Sequence, residues 1–269
     1  MVKNTTPSIT PIILAGGFGT RVQHYFDRPK QFVIREYTSL YQDTIDRVSF
    51  SDIPLIISNI EHKAYIESQS TSVDYDVIYE PVSRNTAAAV IIGALSLQKQ
   101  GKRYAMSLPS DHIINDTKAF QNDVQLAIKH IETHGHSVLF GIEPHHPSSQ
   151  FGYIQTDAFG NVTNFVEKPT STRAAELLKS TRCTYWNSGI FIFNIETLIA
   201  HVRETCPAFI DTCTQAWIDP TIDHYNAIPN LPFDSLYLEQ VLDLFCIEAS
   251  FDWMDVGTPD IVLKRSAIK

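Results

Sequence analysis

Residues 12–21 read Ile12-Ile13-Leu14-Ala15-Gly16-Gly17-Phe18-Gly19-Thr20-Arg21. The apolar run Ile12–Ala15 has the length and composition of a buried strand, and it ends abruptly at Gly16-Gly17. Three glycines in four positions let the backbone turn sharply and approach a ligand without Cβ clashes. Successive backbone N–H groups in such a turn form an anion-binding concavity. Arg21 and, nine residues on, Lys30 add positive charge. A Walker loop would need GxxxxGK[ST], which is absent. A dinucleotide fingerprint would need a third glycine where Val22 stands. The loop is therefore a phosphate loop of another kind, or a tight turn with incidental charges.

Outward from this loop, short β-branched runs alternate with helical patterns. Pro54–Ser58, Asp76–Tyr79, Arg103–Leu108 and Ser137–Ile142 read as strands, with helices at about 40–48, 62–69, 85–99 and 117–133. This alternation predicts parallel strands with crossover helices, an α/β open sheet whose ligands bind beyond the carboxyl ends of the strands. The second half is less regular. Phe151–Gln155 and Val162–Glu167 predict a hairpin turning at Phe159-Gly160-Asn161, followed by a helix at about 171–179 and a long strand, Tyr185–Phe193. Helices are expected at 195–204, 207–217 and Asp234–Leu244, and short strands at Phe245–Ile247 and Phe251–Asp255.

Composition narrows the function. The 269 residues are 43% hydrophobic and 19% charged, with a formal net charge of -9. An acidic chain is a poor partner for nucleic acid. The N-terminal apolar run is too short for a signal peptide or a membrane span, so a cytoplasmic location is expected. Cys183, Cys206, Cys213 and Cys246 form no CxxC pair and read as reduced structural thiols. His134/His136 and His145/His146 read as solvated surface rather than as metal ligands.

The ordered strings carry more than any one of them. ILAGGFGTR is followed by Pro29-Lys30-Gln31-Phe32, Glu80-Pro81 with Arg84-Asn85-Thr86-Ala87, and Leu108-Pro109-Ser110-Asp111-His112. Phe151-Gly152-Tyr153-Ile154, Phe165-Val166-Glu167-Lys168-Pro169, Trp186-Asn187-Ser188-Gly189, Phe233-Asp234…Glu239 and Trp253-Met254-Asp255-Val256-Gly257 come next. From about residue 11 to 258 this set resembles the sugar-1-phosphate nucleotidyltransferases, and its LAGGxGTR…PKQF form is similar to the mannose-1-phosphate guanylyltransferases. Two features depart from the family pattern. Phe18 stands where relatives usually have a small residue. Val22-Gln23-His24 replaces a Leu-Trp-Pro run, in a segment about two residues shorter.

The resemblance implies a Rossmann-like, mixed and mainly parallel open sheet flanked by helices, of the nucleotidyltransferase (GT-A-like) type. It implies one catalytic domain over 1–269, with a nucleotide-binding half to about 145 and a sugar-binding half from about 146. No further isomerase or β-helix domain is expected. The implied reaction transfers a guanylyl group from GTP to mannose 1-phosphate, with Mg²⁺ as cofactor. Alternatives are another sugar 1-phosphate or NTP, or a catalytically weak regulatory subunit that binds nucleotide sugars. A glycosyltransferase reading rests only on the formal DxD at Asp74-Tyr75-Asp76. No nucleic-acid or membrane partner is expected, and self-association is left open.

The resemblance also implies roles. Arg21, Lys30 and Asp111 are the catalytic set, with Asp111 and Asp255 as metal ligands. Leu14, Ala15, Gly16, Gly17, Gly19, Thr20, Glu80, Arg84, Asn85, Thr86 and Ser110 form the nucleotide site. Asn85 or Ser83 could cap the Ala-rich helix that follows, turning its N-terminus to the nucleotide. Gly152, Tyr153, Glu167, Lys168, Asn187 and Gly189 form the sugar-phosphate site.

Overall fold

The computed structural model describes residues 8–19, 25–69, 71, 73–180, 183–241 and 243–257. In chain order the elements are β1 (Ile9–Leu14), β2 (Ile34–Arg35), β3 (Thr38–Ser39), α1 (Leu40–Arg47), β4 (Leu55–Asn59) and α2 (Lys63–Ser68). Next come β5 (Asp76–Glu80), α3 (Asn85–Lys99), β6 (Tyr104–Pro109), β7 (His112–Ile113), α4 (Thr117–His134) and β8 (Ser137–Ile142). The second half contains β9 (Tyr153–Thr156), β10 (Val162–Val166), α5 (Ser171–Ser180), β11 (Thr184–Asn194), α6 (Ile195–Thr205) and α7 (Pro207–Ile218). It closes with α8 (Ile222–Ala227), β12 (Leu244–Glu248) and β13 (Met254–Asp255).

One sheet of mixed sense runs through both halves. Its order is β10-β9-β11-β6-β1-β4-β5, with β8 joined to β11 and β12 joined to β8. The β6-β1-β4-β5 section is wholly parallel, as the alternation of strands and helices predicts. β11 then pairs antiparallel with β6, β8 and β9, and so welds the second half to the first. Alternation along β1 splits the core into two layers. Ile12 faces a cluster built on α3, α6 and α7, while Ile13 faces one built on α1 and α4. A strand buried on both faces is mostly apolar, which is why Ile12–Ala15 reads as a continuous run, while buried Thr10 is satisfied by Asp52.

Two expectations are corrected. Asp234–Leu244 is helical only over Asp234–Leu238, as one wide π-type turn, and the chain then turns toward β12. Phe251–Asp255 is a strand only at Met254–Asp255. No helix among the described residues is long and apolar enough to cross a membrane. No disulfide links the cysteines among the described residues. Cys213 and Cys246 are buried, and burial raises both thiols, consistent with structural roles.

α3 approaches the sheet closely at Gly93, where an added Cβ would stand 3.0 Å from Ile12 Cγ2 and 3.1 Å from its Cδ1. Ile12 is fully buried and has nowhere to retreat. Gly93→Val should therefore destabilise the fold by about 1–3 kcal/mol through overpacking. An unchanged urea midpoint would contradict this packing.

Candidate active site

The parallel strands end together at one edge of the sheet. Leu14, Asn59, Glu80 and Pro109 are the last residues of β1, β4, β5 and β6. Beyond them opens a cavity of about 250 Å³, lined among others by Gly16, Gly17, Gln31, Glu80, Ser83, Asn85, Thr86, Ser110 and Asp111. The formal DxD lies elsewhere: Asp76 opens β5 and so stands at the opposite edge.

The glycine loop is held by its outer carbonyls. Ala15 O accepts from Gln31 Nε2, from Ser58 Oγ and from His62 Nδ1, each at 3.1 Å. Gln31 Nε2 also donates to Gly17 O at 2.7 Å. His62 is buried in a box of Phe18, Phe32 and Tyr65, and burial lowers its pKa. The unusual Phe18 thus has a structural partner, its ring meeting His62 edge-on at 4.8 Å. Gly19 takes a left-handed φ of +62°, and a Cβ there would meet the Lys30 side chain at 3.1 Å. Only glycine fits both demands. Thr20 and Arg21 lie outside the described residues, as do Val22, Gln23 and His24.

Lys30 stands at the centre of the charge arrangement. It opens a 3₁₀ turn, Lys30–Phe32, and is 7% exposed. Its Nζ lies 2.9 Å from Asp111 Oδ2 and 3.6 Å from Asp255 Oδ1, and it donates to Val256 O at 2.9 Å. Burial works to raise the Asp111 pKa, but the charge of Lys30, with His112, holds it below the usual 3.8. The two carboxylates meet because β7 pairs antiparallel with β13, placing Asp255 opposite His112. Two acid clamps deliver that segment. Asp123 on α4 accepts from Ser250 N and Oγ, and Asp252 accepts from the backbone N–H groups of Asn115 and Asp116. Ser110 closes the loop by donating its N–H and hydroxyl to Leu14 O.

At the cavity's far wall, Glu80 is 3% exposed, and its Oε1 has no hydrogen-bond partner among the described residues. Burial pushes its carboxyl up to about 8. Asn85, at φ 65°, accepts from Thr86 N–H, whereas the Ser83 hydroxyl accepts from Asn59 and caps nothing. The first turn of α3 lines the cavity, but part of its polar surface is already engaged. Ala87 N–H binds Leu231 O, and the Thr86 hydroxyl accepts from Phe233 N–H. Arg84 turns away from the cavity, donating to Tyr225 O and to Asn226.

The expected sugar residues form a second group. Asn187 N–H donates to Gly152 O, and Asn187 Nδ2 donates to Asp234 Oδ1 at 2.8 Å. Lys168 Nζ pairs with Glu167 Oε1 at 2.8 Å. A Cβ on Gly152 would lie 2.6 Å from Glu167 Oε2, so that carboxylate occupies the space above the glycine. Burial, then the charge of Glu167, lifts Asp234 to about 6. The sequence places Asp234 in a motif but assigns it no role. β11 slips register between Asn187 and Phe191, and this bulge frees the polar triplet from the ladder. There Gly189, at φ +72°, brings the group to the first half: a Cβ would lie 3.5 Å from Pro109 Cγ and 3.7 Å from His112 Cε1. Tyr153 differs. Its ring is fully buried and its hydroxyl accepts from Ser148 N–H, so only its backbone faces this region.

Among the described residues no group of three or more His, Cys, Asp or Glu side chains could hold a metal. That count includes His134 and His136. A two-carboxylate site is a different case, because Mg²⁺ usually takes one or two carboxylates and completes its shell with phosphates and water. Asp111 and Asp255 suit it: both are hard oxygen donors, drawn to one point by Lys30.

Comparison with known proteins places the chain in a family. A family model described as nucleotidyl transferase matches residues 10–268. A mannose-1-phosphate guanylyltransferase of Escherichia coli is 32% identical over 93% of this chain and 58% of its own length. The chain thus spans little more than half of that curated relative. Among solved structures, a Thermus thermophilus protein described as a mannose-1-phosphate geranyltransferase superposes with a TM-score of 0.82 at 26% identity, covering 92% of this chain and 76% of that one. A Helicobacter pylori protein described as a mannose-6-phosphate isomerase gives 0.81 at 26% identity, over 92% and 100%.

Removing the Lys30 charge should expose what it balances. Lys30→Met keeps the apolar stem but removes the ammonium that lies between the Asp111 and Asp255 carboxylates. Its melting temperature should fall by several degrees, and adding Asp111→Asn should restore part of the loss. A Lys30→Met protein as stable as the parent would contradict the central role of this ammonium.

Proposed function

The chain belongs to the nucleotidyl transferase family, and from that premise we propose that it transfers the guanylyl group of GTP to mannose 1-phosphate, yielding GDP-mannose and pyrophosphate. The observation that carries this reading is Lys30 set between Asp111 and Asp255, with Asp111 itself lining the glycine-loop cavity. Joining two anions requires charge neutralisation and alignment more than covalent chemistry. An oxygen of the sugar phosphate attacks the α-phosphorus, a new P–O bond forms, and the bond to the β-phosphate oxygen breaks with its electrons leaving on pyrophosphate.

The chain's own groups fit these demands. Backbone N–H groups of the glycine loop bind the triphosphate, with the loop's carbonyls already tied outward. Arg21 neutralises the leaving pyrophosphate. Lys30 exchanges its carboxylate partners for the α-phosphate as charge builds there. Asp111 and Asp255 would hold Mg²⁺, which when bound neutralises phosphate charge. On the sugar side Glu167, Asp234 and Asn187 offer acceptors and a donor to hydroxyl groups, and Lys168 offers its charge to the sugar phosphate.

The base preference is supported by Glu80. A buried carboxyl with an unpartnered oxygen suits guanine, whose N1–H and N2–H are both donors. As an acid with a raised pKa, Glu80 is mostly protonated below about 8 in the free protein. An acceptor role requires the carboxylate, so GTP binding must expel that proton. GTP affinity should therefore strengthen as pH rises from 6 toward 8 and level off above. Glu80→Gln should weaken binding and abolish that part of the pH dependence. Parallel pH profiles for the two proteins would contradict the assignment.

The reaction is tested by incubating the purified protein with Mg²⁺, each NTP and a panel of sugar 1-phosphates, and measuring pyrophosphate release. Release with GTP and mannose 1-phosphate is expected. Release only with another pair would replace the substrates, and tight nucleotide-sugar binding without release would indicate a regulatory role.

A further inference from the structure

His112 is buried beside Asp111, and nothing in the reaction above uses it. Trp253 Nε1 lies 3.2 Å from His112 Nδ1, with the rings edge-to-face at 5.2 Å and 82°. An indole N–H can only donate. Nδ1 must therefore be the accepting nitrogen, and the proton of the neutral ring sits on Nε2. That Nε2 faces Asp111 Oδ1 at 3.8 Å, while the other oxygen of the same carboxylate takes Lys30 at 2.9 Å. At 3.8 Å the contact is electrostatic rather than a formed hydrogen bond.

The imidazole is fixed from other directions too. The His112 carbonyl accepts from Arg47 Nη2 at 3.3 Å, and its backbone is paired opposite Asp255. The Trp253 ring in turn packs edge-on against Phe151 at 5.5 Å, the neighbour of Gly152 in the sugar group. Placement of Asp111 is thereby connected to the side of the cleft that receives the sugar.

We propose that His112, held in its Nε2–H tautomer by Trp253, is a positioning residue that orients the Asp111 carboxylate for the divalent cation. When Lys30 turns to a phosphate, Asp111 loses its nearest side-chain donor. The imidazole N–H, facing the other carboxylate oxygen, then adds to the restraint left by the backbone hydrogen bond at Asp111. The inference rests on the reading of Asp111 as a cation ligand. Partners of metal-binding carboxylates typically change metal affinity by about 10–100-fold when lost.

The test uses Mn²⁺ as probe, with free ion counted by electron paramagnetic resonance in the presence of protein and GTP. His112→Leu removes the donor and Trp253→Phe removes the tautomer lock. His112→Gln offers an amide that can fill both positions. His112→Leu should weaken Mn²⁺ binding by at least about 10-fold, and Trp253→Phe by less, while metal-free GTP binding stays within about twofold. His112→Gln should recover most of the loss, and it carries the test with Trp253→Phe if the leucine variant fails to fold. Mn²⁺ binding that survives in His112→Leu but is lost in Asp111→Asn would overturn the positioning role alone. Equal damage in His112→Gln and His112→Leu would also overturn it. A parent protein that holds no Mn²⁺ would overturn the cation reading and this one together.

Discussion

A buried ammonium needs compensating charge, and the Lys30 Nζ finds it in Asp111, Asp255 and the Val256 carbonyl. Much of the edge of the sheet is organised by that demand. The 3₁₀ turn after the glycine loop, the loop after β6 and the segment at β13 are far apart in sequence, and each contributes one member. The same turn supplies Gln31, whose amide ties Ala15 O and Gly17 O. Fixing the cation and fixing the phosphate loop are thus one structural event. Bringing two carboxylates and a lysine together is costly without a ligand to use them, which is why the arrangement points to polyanion chemistry.

The two halves communicate through β11. It joins the parallel section to the hairpin, and its bulge at Asn187-Ser188-Gly189 places a left-handed glycine against Pro109 and His112. The group around Asn187 is thereby brought up to the end of β6 and to His112. Asp234, raised to about 6 by burial and by Glu167, is a further polar group held away from water there.

The parallel half was legible because β1, β4, β5 and β6 are short apolar runs separated by amphipathic helices, and both periodicities are local. The Lys30, Asp111 and Glu80 positions were legible through motif order. Less visible were features made by pairing at a distance. β7 and β13 are two residues each, below any periodic signal, and their pairing is what joins Asp111 to Asp255. The donors to Ala15 O from Ser58 and His62 carry no local signature either. The helix expected over Asp234–Leu244 is confined to Asp234–Leu238, a wide turn that buries Leu236, Tyr237 and Leu238, because tertiary context overrides a weak local pattern. Tyr153 was placed near the sugar by its motif, yet its ring serves the core.

In the proposed reaction Lys30, Asp111 and Asp255 mark where the triphosphate and its cation meet. Anomalous diffraction from crystals of the protein grown with Mn²⁺ and GTP would locate both. One strong peak is expected in direct contact with a carboxylate oxygen of Asp111 or Asp255, with the phosphates lying on the glycine loop and Lys30 turned toward the α-phosphate. A Mn²⁺–GTP complex bound away from these carboxylates, with the Lys30–Asp111 pair intact, would contradict it.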